Sequence, residues 1–229
     1  MALKKFCPKC GKEIEKFYEG LCKDCFTSIY FEKIKELKKA EIYKCKVCGR
    51  YSLTKKQLFN SLDEAINHFV KHSKNLKIKN FQRDFEIQNG FIKIFWKEDS
   101  ETIFSKDLRI KIKPFKCRYC QMMLSGYRQA IIQIRTKKVE NEKILEEILK
   151  TIDERNKHDF LSFVSKIERK KSKIDVYIGS KKSAYLAIRR IKSKFPDVDF
   201  KIKVSKKLMG YKKGRRLYLD TISISDAYE

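Results

Sequence analysis

All eight cysteines of the chain fall in four Cys-x-x-Cys pairs, Cys7/Cys10, Cys22/Cys25, Cys45/Cys48 and Cys117/Cys120, and none is left over. Two thiolates at this spacing can be aimed at one ion from a single tight turn, and four of them close a tetrahedral shell. A closed shell leaves no position for water or substrate, so the expected chemistry is two structural Zn2+ ions rather than metal-assisted catalysis. A redox role would call for a lone pair where a strand enters a helix. A zinc deaminase would need His-x-Glu ahead of Pro-Cys-x-x-Cys, a pattern absent here.

The pairs differ in the residue after the second cysteine. Cys7-Pro-Lys-Cys-Gly11 and Cys45-Lys-Val-Cys-Gly49 end in a glycine that can take positive φ, whereas Cys22/Cys25 and Cys117/Cys120 do not. Each site is therefore expected to join one glycine knuckle to one plain pair. In chain order that groups 7/10 with 22/25 and 45/48 with 117/120. An interleaved cross-brace, first pair with third and second with fourth, remains open on the sequence alone.

His68 and His72 stand four residues apart on an expected helix and could grip a third metal, but they are read as two half-exposed helix residues. His158 is assigned no role. The chain has no phosphate-binding glycine loop, nucleophile elbow or paired carboxylates at an identifiable site, so no enzyme is expected.

The second signal is charge. Lys and Arg number 55 against 29 Asp and Glu, a formal net charge of +26. Residues 1–125 hold 28 basic and 15 acidic residues and residues 126–229 hold 27 and 14, so the expected anionic partner spans both halves. The densest cluster is Lys206, Lys207, Lys212, Lys213, Arg215 and Arg216, with Tyr211 among them to stack on a base; Lys181, Lys182 and Arg189 add cations on a helix. Arg169-Lys170-Lys171 and Arg189-Arg190 are weaker clusters. Lysine-rich surfaces track a phosphate backbone more than they read bases, and no recognition helix with a dimer spacing is evident, so structured RNA suits this chain better than a DNA operator.

These residues must be held by folded elements, and 42% hydrophobic residues can bury a core in each of two domains. The expected class is α+β: a double zinc-binding domain over 1–125, then an RNA- or ribosome-binding domain over 126–229. In the first, Cys22 and Cys25 open a helix running through FTSIYFEKIKELKKA, and a knuckle joined to a helix start resembles a treble clef. Ser61-Leu-Asp-Glu64 reads as a capping box for a helix through Ala65, Ile66, Phe69 and Val70. Asn89-Gly90 marks a hairpin, and LRIKIKPF alternates as a strand, giving an inserted helix and small sheet over 50–116. In the second domain, strands at 130–135 and 173–179, a helix at 143–152, a helix capped by Ser180 and two final strands around a loop at 209–215 give a two-layer α/β sandwich of order β-α-β-α-β-β, with 157–170 unassigned. No apolar run is long enough to span a membrane and MALKKFCPKC has no signal core, so a soluble cytoplasmic protein with no membrane partner is expected.

The four pairs, with Cys117-Arg-Tyr-Cys120 leading into Gly126-Tyr127-Arg128-Gln129-Ala130-Ile-Ile-Gln-Ile-Arg135, resemble the nonsense-mediated-decay-three family, the eukaryotic export adaptor of the large ribosomal subunit. Ile174-Asp175-Val176-Tyr177, the helix after it and Val204-Ser205-Lys206-Lys207-Leu208 are similar to that family's second domain. The resemblance implies a non-catalytic factor on the intersubunit face of the large subunit, in ribosome assembly, quality control or translation. It implies contacts with rRNA, the tRNA exit region and the L1 stalk. Eukaryotic members also carry a domain resembling translation factor five A and a tail of nuclear import and export signals. This chain is expected to be a short, archaeal-type member without them, monomeric when free. The alternatives are a general zinc-dependent RNA- or DNA-binding protein of transcription or RNA processing, and an adaptor whose zinc module docks a partner protein.

Overall fold

The computed structural model describes residues 5–226 except 36, 38, 79, 80, 138, 172 and 213. The chain divides into two compact units, Met1–Lys116 and Cys117–Glu229.

In the first unit, helix α1 (Lys23–Lys35) is followed by strands β1 (Lys39–Cys45), β2 (Tyr51–Ser52) and β3 (Leu58–Phe59), helix α2 (Leu62–His72), and strands β4 (Gln82–Gln88), β5 (Phe91–Glu98) and β6 (Glu101–Phe115). They form one six-stranded sheet of order β3-β2-β1-β6-β5-β4. Only the β1–β6 pair in it is parallel, with Cys45 opposite Phe115. Helix α1 stops at Lys35, short of the expected run through Ala40, because burial changes period there: Ala40 and Ile42 are buried in alternation on β1. The capping box forms as expected, the Ser61 hydroxyl accepting from the Glu64 amide while the Glu64 carboxylate accepts from the Asn60 amide. Asn89 and Gly90 both take positive φ, +49° and +80°, as a two-residue hairpin of the I′ kind requires. The core gathers Phe26, Ile42, Ile66, Leu76 and Trp96, the indole N–H donating to the Leu76 carbonyl at 3.0 Å.

The second unit runs α3 (Arg118–Leu124), β7 (Ala130–Arg135), α4 (Asn141–Asn156), β8 (Val164–Lys170), β9 (Lys173–Ile178), α5 (Lys181–Lys194), β10 (Phe200–Lys212) and β11 (Arg215–Asp226). The sheet order is β10-β11-β7-β9-β8, with only the β7–β11 pair parallel. Helices α4 and α5 pack on one face, over Ile132, Ile134, Val176, Ile222 and Ile224.

The two-layer α/β architecture is the expected one, with three corrections. Strand β8 adds a member to the expected order; a register shift between Val164 and Lys166 breaks the alternation that would have marked it. The Ser180 side chain does not cap α5, because its hydroxyl donates to Asp159 at 2.8 Å instead. The expected loop at 209–215 is the end of a long β-ribbon, paired out to Lys212 and Arg215. Among the described residues, no helix is long and apolar enough to cross a membrane.

Candidate metal centres and cationic ribbon

The eight sulfurs gather into two groups, Cys7, Cys10, Cys22, Cys25 and Cys45, Cys48, Cys117, Cys120, each with its sulfurs within 4.8 Å of one another. The grouping is sequential, and the interleaved alternative does not occur. Both groups rest on the same local frame. In the knuckles, the first cysteine amide donates to the carbonyl five residues on (Cys7 to Lys12, 2.9 Å; Cys45 to Arg50, 2.8 Å). The glycine amide returns to the cysteine carbonyl (Gly11 to Cys7, 2.8 Å; Gly49 to Cys45, 2.9 Å). The turn closes through glycine φ of +72° and +73°, a conformation that strains any residue with a Cβ.

The plain pairs sit at helix starts. Cys22 precedes α1 and its sulfur accepts from the Cys25 amide at 3.4 Å; Cys117 caps α3 and its sulfur accepts from the Cys120 amide at 3.4 Å. Amide donors at a helix N-terminus favour the thiolate form that a metal needs. The Cys22 amide likewise donates to the Cys7 sulfur at 3.3 Å, and this bond above all lowers the Cys7 pKa to about 6. Cys25 is pushed up to about 12, first by its hydrogen bond with the Cys22 thiol. Four crowded thiols cannot all ionise unaided, and a divalent cation is what reconciles them. The spacing fits one: a tetrahedron with ~2.3 Å zinc–sulfur bonds has edges of about 3.8 Å, and the Cys10 and Cys22 sulfurs stand 3.7 Å apart. Each group is thus compatible with one structural metal ion.

His68 and His72 do meet, with ring centroids 4.3 Å apart. No third ligand joins them; among the described residues, the two cysteine groups alone assemble three or more metal-ligating side chains. His68 also packs on Phe59, and burial followed by the charge of His72 lowers its pKa.

The cations predicted to touch RNA fall into different settings. Lys206, Lys207, Tyr211, Arg215 and Arg216 are exposed on the β10–β11 ribbon, with Tyr211 65% accessible. Lys212 ends β10, and Lys213 lies outside the described residues. The ribbon does not present them on one surface. Lys207 pairs across with Leu219 and Leu208 with Tyr218; a bulge then lets Gly210 pair with Leu217, so Tyr211 falls opposite Arg216. The extra residue, Met209, moves Tyr211 onto the face that also carries Val204, Lys206 and Leu208, away from Lys207 and Arg215.

Lys182 and Arg189 are exposed on α5, but Lys181 is engaged: its ammonium donates to the buried Asp220 carboxylate at 2.7 Å. In the weaker clusters, Arg169 bonds Glu142 and Arg190 bonds Glu154. Asp220 is a residue that no local motif singles out. Its signal lies in a wider pattern, since Asp220 and Asp226 bracket Ile222 and Ile224 on the buried face of β11.

Two cysteine tetrads on knuckle-and-helix frames, together with a basic α/β sandwich, define a metal-knuckle protein of the treble-clef kind with an appended α/β unit. Residues 7–116 match the description NMD3, N-terminal domain, and residues 127–225 match NMD3, second domain. The chain belongs to the NMD3 family, which makes it, at the level of the family, a ribosome-associated factor. No curated protein matches the chain.

Proposed function

We propose that this protein is a non-catalytic binding factor of the large ribosomal subunit, cytoplasmic, with two structural zinc ions. Membership of the NMD3 family across both units is the observation that carries the reading. The amino-terminal unit supplies the metal-held scaffold. The second unit supplies rRNA contacts from Lys206, Lys207, Tyr211, Arg215 and Arg216 on the ribbon, from Lys182 and Arg189 on α5, and from Lys212 and Lys213. A net charge of +26 supports a polyanionic partner, since neutralising several phosphates releases counterions and drives association.

The test is co-sedimentation of the zinc-loaded protein with separated large and small subunits at low and moderate salt. Selective pelleting with the large subunit is expected. Equal binding to both subunits and to free RNA, lost together as salt rises, would instead favour a general nucleic-acid-binding protein.

A further inference from the structure

Helices α4 and α5 lie on one face of the second unit's sheet, and the β10–β11 half of the other face carries an unusual set of side chains. Strand β10 is the edge strand. Lys201, Lys203, Ser205 and Lys207 succeed one another at two-residue intervals on that face, all exposed. Their partners across the ladder are Ser225, Ser223, Thr221 and Leu219. Successive side chains on one face of a strand stand about 6.7 Å apart, a spacing an extended phosphodiester chain can match.

Along β10 this face carries lysines and no acid. Two acids on the neighbouring strands are already taken: Asp175 pairs with Arg135, and Glu168 with Lys166 and Tyr177. The acids of β11 lie on the opposite face, where Asp220 accepts from Lys181 and Tyr185 and Asp226 from the Lys137 amide. Lys201, Lys203 and Lys207 have no ion-pair partner among the described residues. Beside them, the Ser223, Ser225 and Thr221 hydroxyls offer donors and little bulk.

We propose that this lysine column with its hydroxyl neighbours is a phosphate-tracking platform for a single-stranded or irregular stretch of RNA, separate from the aromatic face of the ribbon that bears Tyr211. The choice of RNA as the polyanion rests on the large-subunit reading; the platform itself rests on the placement of charge. Edge lysines also discourage strand pairing between molecules, and the experiment separates the two roles.

The protein variant Lys201→Gln/Lys203→Gln/Lys207→Gln is compared with wild type for binding to a 20-nucleotide single-stranded RNA over a salt series, and for pelleting with large subunits. As a control, the same charge is removed at the exposed Lys71, Lys74 and Lys77 of the first unit. Each phosphate contact on a single strand contributes about −0.7 to the log–log salt slope, so losing three flattens it by about 2 and weakens binding roughly 100-fold at 0.1 M salt. The control is expected to leave the slope unchanged. An unaltered slope in the platform variant, or an equal loss in the control, overturns the proposal and leaves the lysines as guards of an edge strand. Loss of RNA binding in the platform variant while wild type fails to select the large subunit would retain the platform and overturn the ribosomal reading. Selective large-subunit pelleting with an unaltered platform variant would do the reverse. An unchanged thermal unfolding profile confirms that the variant is folded.

Discussion

Lys181 and Asp220 join the first turn of α5 to β11 where the ribbon leaves the sheet, the ammonium donating to a carboxylate that is 3% accessible. Tyr185, one turn along the same helix, donates its hydroxyl to the other carboxylate oxygen at 3.0 Å. A lysine that looked like a phosphate ligand in the sequence is thus the anchor of a buried acid.

Replacing Lys181 with Met should therefore lower stability more than it lowers RNA affinity. Removing one partner leaves a buried carboxylate with the tyrosine alone, a loss of about 1–3 kcal/mol. Denaturant unfolding reads the first effect, and a binding titration at fixed salt reads the second. A large loss of affinity with no loss of stability would return Lys181 to the contact set.

Metal content separates the two cysteine groups. Native mass spectrometry of the intact protein should give two zinc ions per chain, and Cys10→Ser or Cys48→Ser should each remove one. Structural sites of this type contribute on the order of 10 kcal/mol to folding, so chelation should also abolish the cooperative unfolding transition. A count of one or none in wild type would contradict the tetrahedral reading.

Charge reversal of Lys212, Lys213, Arg215 and Arg216, all to Glu, should weaken large-subunit binding at least about 10-fold at moderate salt and reduce its salt dependence. Circular dichroism should be unchanged, since Arg215 and Arg216 are exposed. Equal affinity of the variant and wild type would remove this end of the ribbon from the interface.

His68 should make the first unit sensitive to mild acid. Its folded pKa lies below the ordinary 6.5 because burial disfavours the imidazolium, and His72 adds like charge. The unfolded chain then takes up the proton first. This contribution to stability is complete above about pH 6.5 and is lost as pH falls through the folded pKa. His68→Leu should flatten that part of the stability–pH curve, measured by denaturant midpoints between about pH 5 and 8; an identical slope in both proteins would refute it.

Much of this molecule is written in local pattern. The Cys-x-x-Cys-Gly knuckles, the Ser61–Glu64 box, the Asn89-Gly90 turn and the alternation in Ala130–Arg135 depend on residues within a few positions of each other. Their hydrogen bonds are therefore legible from the sequence. The two-layer character of the second unit comes from the same periodicities, as does the resemblance to the family the chain belongs to.

Tertiary structure alone decided the rest. Cys45 and Cys117 meet because β1 runs parallel to β6 with Cys45 opposite Phe115, a pairing across some 70 residues that no local signal encodes. Which cations are free was likewise undecidable from charge counts, since Lys181 and Arg169 find their acids only when helices dock on strands, and Arg190 only when α5 packs on α4. The face on which Tyr211 stands was hidden for a smaller reason. One bulged residue, Met209, reverses the side-chain parity of the ribbon, and a bulge is a property of the strand pair rather than of either strand.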